Sequence, residues 1–167
     1  MKDATRIDVF FNGDKALFLI PLYQRKYAWK RKHCERLFND LIKVHDENRY
    51  SHFFGSIVSI KANEHEDDLL IIDGQQRITT ISLLILAAIQ AVHDGIMTCE
   101  RGEEYITDIR NKFLRAKYRK GDRQIKLRPI DKDRMAYDAL MKGDRDSFVP
   151  VSESGITTNF LLFYDLI

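Results

Sequence analysis

An apolar segment from Leu69 to Ala88 is interrupted in its middle by DGQQR, residues 73–77. The residues up to the start of this motif, LLIID, form a short apolar run that predicts a buried strand. Residues 75–93 are apolar on almost every face and predict a central buried helix. Because a strand leads directly into a buried helix, the chain must fold so that a sheet and this helix meet at the motif.

The chain before this junction predicts a small sheet and one helix. Asn12-Gly13 separates RIDVFF from ALFLIP, which predicts a hairpin of two short strands. HFFGSIVSI, residues 52–60, predicts a buried strand with LLIID as its antiparallel partner. The acidic stretch NEHEDD between them predicts a solvated hairpin tip, with metal binding as the alternative. Apolar residues three and four apart between Lys30 and Asp46 predict an amphipathic helix.

The chain after the junction predicts mainly helices. One runs from about Glu103 to Arg119 and is ended by Gly121, and another from Asp131 to Lys142 is ended by Gly143. QIKLRP, residues 124–129, predicts a short strand. The last residues, TTNFLLFYDLI, predict an apolar helix with nothing after it to pack against. We therefore expect this chain to be the N-terminal piece of a longer protein.

Length and composition are those of an ordinary globular domain. The 167 residues are 44% apolar and 31% charged, which excludes an intrinsically disordered chain. They suffice for one domain with a core of its own. We predict a single α+β domain over residues 1–167, with a core at 6–93 and a helical extension at 100–167. The net charge of +2 by itself indicates no class of partner.

Other features of the sequence favour a cytoplasmic protein that does not enter the membrane. Cys34 and Cys99 lie far apart without metal-ligand spacing, so we expect both to be reduced, buried thiols. Charged residues precede the first apolar run, which is not the pattern of a signal peptide. The longest apolar run, residues 81–92, is shorter than the roughly 20 residues that span a bilayer.

The DGQQR motif predicts an anion-binding site at the start of the buried helix. The first N–H groups of a helix have no internal partner, and the helix dipole adds about half a positive charge there. Gly74 permits a ligand to approach the backbone, and Arg77 offers a planar fork for phosphate oxygens. Gln75 and Gln76 supply neutral donors and acceptors.

The hydroxyls of Thr79 and Thr80 follow one turn later, and they complete this candidate site. The alternative is a simple helix cap, because Asp73 and Gln76 have the spacing of a capping box. A cap accounts for neither Gln75 nor Arg77. A buried guanidinium without a partner is costly, so Arg77 must meet either an acid or an anion.

A second candidate site is PLYQRKYAW, residues 21–29, in which aromatic and cationic residues alternate. Tyr23, Tyr27 and Trp29 are suited to stacking on a base, and Arg25 and Lys26 to neutralising a phosphate. The alternative is that the aromatic residues anchor a loop on the core while the cations are solvated.

A third candidate site is the basic segment from Arg110 to Arg128, which contains nine basic residues and one acidic residue, Asp122. Such a charge imbalance indicates either contacts with a nucleic-acid backbone or a solvated surface. The candidates for nucleic-acid binding are Arg115, Lys117, Arg119, Lys120 and Arg123.

Three motifs in this order carry a family resemblance: IPLYQRKYAW at 20–29, HFFGSIVSI at 52–60 and IIDGQQRITTISLL at 71–84. Together they resemble the N-terminal domain of the GmrSD-type modification-dependent restriction enzymes. That bacterial group belongs to the ParB/sulfiredoxin-like superfamily. The likeness covers about the first half of the chain, from Ile20 to Leu86.

The resemblance implies a small ParB/sulfiredoxin-like mixed sheet with helical additions. In such proteins the DGQQR motif is associated with binding and hydrolysis of a nucleotide. Hydrolysis drives or licenses DNA cleavage by a separate nuclease domain, often of HNH type, in defence against phage. Carried over to this chain, the phosphate-handling residues would be Asp73, Gly74, Gln75, Gln76 and Arg77. The residues closing over them would be Gln24, Arg25 and Tyr27.

The sequence departs from relatives in this superfamily at two points. Sulfiredoxin-like proteins carry a cysteine in the corresponding turn, where this chain has Gln75 and Gln76, so sulfur chemistry is not expected. ParB-like proteins carry an acid near the turn for Mg²⁺, and here Asp73 is the acid at hand. The 167 residues contain no HNH signature, so a nuclease would lie downstream or on another chain.

We therefore expect a domain that binds and hydrolyses a nucleoside triphosphate at the start of the buried helix. Arg77 and Arg25 would neutralise the phosphate oxygens. Asp73 would hold Mg²⁺ or orient the attacking water, and Gln76 is the other candidate for the water. The alternatives are a DNA-binding or regulatory module that uses the same anion site without hydrolysis, and a structural domain whose junction is only a cap.

Overall fold

The structure is a computed structural model that describes residues 5–12, 16–63, 67–143 and 154–167. Its four strands are β1 (Phe18–Leu19), β2 (Val58–Lys61), β3 (Leu69–Asp73) and β4 (Leu127–Arg128). They form one sheet in the order β2-β3-β1-β4. β1 is parallel to both β3 and β4, whereas β2 is antiparallel to β3. Helices with a small mixed sheet confirm the predicted α+β class.

The helices of the described residues lie mostly where the sequence patterns predict them. They are α1 (Ile7–Phe10), α2 (Arg31–Asp46), α3 (Gln75–His93), α4 (Gly102–Phe113), α5 (Asp131–Lys142) and α6 (Gly155–Leu166). Gly143 ends α5 with a positive φ of 71°, the left-handed conformation for which glycine was expected there. Periodicity therefore identified α2, α3, α5 and α6 correctly.

Helix α3 is the centre of the core, and α6 packs along it. Ile78, Leu83 and Ala87 of α3 are fully buried, as is Phe163 of α6. The last apolar segment forms the predicted helix, and α6 packs against the earlier helices α3, α2 and α5. One hydrophobic cluster contains residues of these helices together with Leu127 of β4. The predicted core at 6–93 and the predicted extension at 100–167 therefore pack against each other.

Helix α3 also has the length and apolar composition that a membrane span requires. Of this segment, 56% is buried inside the protein, and the buried central helix of a globular domain meets the same two criteria. Both cysteines are free thiols, as predicted. Cys34 is buried as expected, but Cys99 is only partly buried. Burial raises the pKa of the Cys34 thiol, which makes it less reactive at neutral pH.

The predicted hairpin around Asn12-Gly13 is wrong, although Gly13 itself lies outside the described residues. Ile7–Phe10 is a helical turn rather than a strand. Strand β1 is already paired on both sides, with β3 and β4, so no edge of it remains for a hairpin partner. The helical turn instead places Phe10 against Phe18, with ring centroids 5.2 Å apart.

The strand predicted at residues 52–60 is shorter and more exposed than expected. It begins only at Val58, and Val58 and Ile60 are 48% and 53% exposed. β2 lies at the edge of the sheet and has one neighbour, which explains why it is not buried. Its antiparallel pairing with β3 is confirmed.

Helix α4 ends at Phe113, six residues before the predicted end at Arg119. The following residues pair with the segment that leads into β4. Ala116 N–H donates to the Gln124 carbonyl at 2.8 Å, and Lys126 N–H donates to the Leu114 carbonyl at 3.0 Å. Because the Ala116 N–H and the Leu114 carbonyl bond to residues 124 and 126 and not along a helix, α4 cannot continue to Arg119. Gly121 therefore does not end the helix.

Asp68 does not belong to a solvated hairpin tip, as the sequence had predicted; residues 64–66 of that tip lie outside the described residues. The Asp68 residue is 4% exposed. Its Oδ1 accepts hydrogen bonds from Arg119 Nη2 at 2.7 Å and from Leu17 N–H at 3.2 Å. The buried ion pair therefore ties the basic segment to the sheet.

We expect Asp68→Asn to lower the free energy of unfolding by about 3 kcal/mol, because it removes the carboxylate charge beside the largely buried Arg119 guanidinium. Urea unfolding measures the loss. The matched control is Asp67→Asn, an exposed neighbour, which should change stability by less than about 0.5 kcal/mol. Equal effects of the two variants would contradict a buried ion pair at Asp68.

Candidate functional site

A cleft of about 160 Å³ lies where β3 leads into α3. Gly74 is the residue at which α3 begins, and its φ of 93° makes the sharp turn out of the strand. The residues that line the cleft are Gln24, Arg25, Trp29, Asp73, Gly74, Gln75, Gln76 and Arg77. The structure thus brings together the whole DGQQR motif and part of the PLYQRKYAW segment.

Among the described residues no side chain caps the start of α3, and the N-cap residue is a glycine. The predicted alternative, a capping box between Asp73 and Gln76, is not formed. Gln76 binds the backbone of residues 26–28 instead, and Asp73 lies nearest to Arg77. Among the described residues the positive end of the helix is therefore not capped by a side-chain hydrogen bond, and it lies beside the cleft next to the exposed carboxylate of Asp73.

The two glutamines of the motif hold the loop that forms the opposite wall of the cleft. Gln75 Nε2 donates to the Arg25 carbonyl at 2.9 Å. Gln76 Oε1 accepts from Ala28 N–H at 2.8 Å, and its Nε2 donates to the Lys26 carbonyl at 3.2 Å. Residues 25–28 have no strand or helix partner, so these side chains supply the hydrogen bonds that their backbone needs.

Gln24 fastens the same loop to the end of β3. Its Nε2 donates to the carbonyl oxygens of Ile71 at 3.1 Å and Ile72 at 2.7 Å. The loop is therefore fixed both to the strand before the motif and to the first turn of the helix after it. Arg25 is exposed on the loop and faces the cleft as one of its lining residues.

Arg77 is held by backbone and retains free capacity for an anion. Its Nη1 donates to the Ser56 carbonyl at 2.8 Å and lies 3.7 Å from Asp73 Oδ2, which is too long for a hydrogen bond. The Asp73 side chain is 68% exposed, so water weakens this ion pair. A guanidinium has five N–H donors, and the side chain is 33% exposed at the cleft.

Two glycines allow the chain to pack this closely around Arg77. A Cβ atom on Gly55 would lie 2.6 Å from Arg77 Nε, and Gly55 has a φ of +97°. A Cβ atom on Gly74 would lie 2.9 Å from Ile57 Cγ1 and 3.0 Å from the Ser56 carbonyl oxygen. The space beside Gly74 is thus occupied by residues 56–57 of the chain itself.

Tyr27, Thr79 and Thr80 do not line the cleft, although the sequence suggested them as nucleotide-binding residues. They are buried, with exposures of 6%, 1% and 0%. Thr80 Oγ1 donates to the Gln76 carbonyl at 2.7 Å and lies 2.8 Å from the Tyr27 hydroxyl, which therefore donates to Thr80. Burial raises the pKa of the Tyr27 phenol far above its ordinary range, so this proton stays in place.

The buried network continues to α5 and α6 and supports the loop from behind. Asn159 Nδ2 donates to the Trp29 carbonyl at 2.7 Å and to the Tyr27 hydroxyl at 3.2 Å. Asp133 accepts from Tyr27 N–H at 2.7 Å and from the Ser154 hydroxyl at 2.7 Å. No local sequence signal identified Asn159 or Asp133, because each acts on residues more than a hundred positions away.

Comparison with known protein families gives one clear result. The model of the GmrSD restriction endonuclease N-terminal domain matches residues 7–166. The chain belongs to this family. The match extends from α1 to the end of α6, well beyond the three motifs that carry the resemblance. A role in a restriction system follows from it. No curated protein was found to match the chain.

Trp29, which the sequence suggested for stacking on a base, lines this GmrSD-type cleft, although the family resemblance did not place it among the residues that close over the site. It is partly buried and packs against His33 and Phe54, with ring centroids 5.8 and 6.3 Å away. The alternation of aromatic and basic residues in the loop was the available signal. That pattern did not distinguish Trp29, which lines the cleft, from Tyr27, which faces the core.

The basic segment is partly structural in this GmrSD domain. The Arg119 side chain is 14% exposed and pairs with Asp68. Lys126 is 1% exposed, and its Nζ donates to the Phe11 carbonyl at 2.6 Å. Lys117 and Lys120 are exposed, and Arg115 is partly exposed. Of the remaining candidate, Arg123, the side chain lies outside the described residues.

The cleft contains one carboxylate that fits a metal-bound phosphate. Among the described residues, no group of three His, Cys, Asp or Glu side chains could hold a metal ion by itself. Mg²⁺ is commonly held by one or two carboxylates together with substrate phosphates, and it keeps several waters. Asp73, exposed at the edge of the cleft, meets that requirement only in combination with a phosphate ligand.

We expect Gly55→Ala to destabilise the domain more than Gly95→Ala. Both glycines have positive φ, which costs an alanine about 1–2 kcal/mol, but nothing lies within 4 Å of a Cβ atom on Gly95. At Gly55 the added methyl also clashes with Arg77, at a further cost of about 1–3 kcal/mol. Urea unfolding of the two variants measures the difference. Equal losses would show that Arg77 is not held against Gly55.

Proposed function

We propose that this domain binds a nucleoside triphosphate in the cleft and hydrolyses it, as the nucleotide-dependent part of a bacterial restriction system against phage. The observation that carries the proposal is the uncapped start of α3 beside a cleft lined by Arg25 and Arg77. Helix N-termini bind phosphate through free N–H groups and the helix dipole. Two arginines that line the cleft, Arg25 from the loop and Arg77 from α3, supply additional donors for a polyphosphate.

The geometry suits phosphoryl transfer to water, which depends mainly on positioning and neutralisation of charge. In the reaction, the water oxygen forms a bond to the terminal phosphorus while the bond from that phosphorus to its bridging oxygen breaks. The products are a nucleoside diphosphate, inorganic phosphate and a proton that passes to solvent. Arg77 and Arg25 would stabilise the negative charge on the oxygens as this bond breaks.

The remaining polar groups divide between chemistry and support. Asp73 is exposed at the cleft and is the residue we assign to the attacking water or to Mg²⁺. Mg²⁺, when bound with the nucleotide, would supply further neutralisation of phosphate charge. Both amide atoms of Gln76 already bind the loop backbone, so its role in this proposal is to position the wall of the cleft rather than the water.

The proposed partners follow from the family and not from a contact in the structure. Nucleotide hydrolysis would regulate DNA cleavage by a separate nuclease domain, of HNH type, downstream or on another chain. A domain with these partners would work in the cytoplasm, away from the membrane. The alternative is a module in which the same anion site receives a DNA phosphate without hydrolysis. Exposed Lys117 and Lys120 favour some contact with DNA.

We expect Arg77→Ala to reduce phosphate release at least tenfold, because it removes a guanidinium from the phosphate oxygens. Phosphate release and the rise in melting temperature are measured with ATP, GTP, CTP and UTP, with and without Mg²⁺. The matched control is Arg36→Ala on α2, whose side chain is 86% exposed and does not line the cleft, and it should behave as wild type. Equal rates for wild type and Arg77→Ala would discard the assignment.

If the exposed lysines bind DNA, Lys117→Ala with Lys120→Ala should reduce the salt dependence of DNA binding. The slope of log affinity against log salt should shrink by about 0.9 for each phosphate that the variant no longer neutralises. Fluorescence anisotropy at several salt concentrations measures it. Lys43→Ala, an exposed lysine on α2, is the control. An unchanged slope in the double variant would show that these lysines do not bind DNA.

A further inference from the structure

Gln75 has one polar atom that no group in the described residues satisfies. The residue is 5% exposed and lines the cleft. Its Nε2 donates to the Arg25 carbonyl, which fixes the orientation of the amide, because a carbonyl oxygen must face a donor. Its Oε1 is buried and has no hydrogen-bond partner. A buried acceptor without a donor is unfavourable, so such an atom calls for an explanation.

The chemistry of this atom specifies what the ligand must bring. An amide oxygen accepts hydrogen bonds, and a deprotonated phosphate oxygen also only accepts, so the phosphates cannot satisfy it. Those phosphates have their donors in Arg25, Arg77 and the start of α3. A donor that a bound nucleotide offers to this oxygen would therefore be an O–H or N–H of its sugar or base.

We propose, on the basis of the proposed function, that Gln75 Oε1 accepts a hydrogen bond from a ribose hydroxyl of the bound nucleotide. Dinucleotide-binding domains recognise the same hydroxyls with a carboxylate acceptor. Here a neutral amide serves better, because a carboxylate at this place would repel the nearby triphosphate. The affinity of the cleft therefore depends on one of the two ribose hydroxyls. Where that is the 2′-hydroxyl, ribonucleotides bind in preference to deoxyribonucleotides and to DNA, whose sugars lack it.

The test compares ligands that differ by one hydroxyl. Binding of ATP, GTP, CTP and UTP to the wild-type chain is measured by calorimetry, and the tightest is compared with its 2′-deoxy and 3′-deoxy forms and with tripolyphosphate. We expect removal of one of the two hydroxyls to weaken binding about tenfold, the usual cost of a buried acceptor left unpaired. Tripolyphosphate should bind more weakly than the ribonucleotide by at least the same factor.

Two variants of Gln75 assign the effect to its oxygen. Gln75→Met removes the acceptor, and the preference for the ribonucleotide over the deoxy form should disappear. Gln75→Glu keeps an acceptor, and the preference should remain even though affinity for the triphosphate falls. Gln90→Met, at the other end of α3, is the control and should bind as wild type does. Should Gln75→Met fail to fold, the ligand series on wild type and on Gln75→Glu still decides the question.

The possible results separate this inference from the function on which it rests. If no triphosphate binds, both are overturned. If ribonucleotides, both deoxy forms and tripolyphosphate bind equally well, the triphosphate site stands and the role of Gln75 is overturned. The role is also overturned if the affinity depends on the base but not on either hydroxyl, since the donor would then be a base amino group.

Discussion

The amide groups of Gln75 and Gln76 are the interactions on which the cleft depends. Residues 25–28 belong to no helix or strand, yet they lie against the start of the most buried helix. Backbone in that position must find hydrogen bonds, and three of them come from these two side chains. Two consecutive glutamines in an apolar segment, unexplained by a helix cap, are explained by this bracing of a loop.

The bracing produces a site with walls from three distant parts of the chain. The loop carries Arg25 and Trp29, α3 carries Arg77, and the segment before β2 receives the Arg77 guanidinium over Gly55. The loop is held by hydrogen bonds from the glutamine side chains to its backbone. Arg77 is held by a hydrogen bond to the Ser56 carbonyl and by a weak ion pair with Asp73, in a chain of the GmrSD N-terminal domain family.

Much of the fold and part of the site could be predicted from local patterns. Helices α2, α3, α5 and α6, the antiparallel pairing of β2 with β3, and the grouping of DGQQR with Gln24 and Arg25 all agree with the structure. The hairpin at Asn12-Gly13 failed because two parallel neighbours already occupy β1. The basic segment was interpreted as a surface, but Arg119 and Lys126 are buried by partners far along the chain.

Hydrophobic periodicity, a local property, specified the helices and placed a polar turn between β3 and α3 before any tertiary packing was known. Packing assigned the direction of each side chain. Residues four apart on a helix share a face, so Thr80 lies on the same buried face of α3 as Gln76. The Tyr27 hydroxyl bonds to Thr80 and is therefore also buried. Arg77 points to the cleft because Gly55 and Ser56, from a separate segment, receive it there. Burial on either side of one helix depends on neighbours that no single stretch of sequence contains.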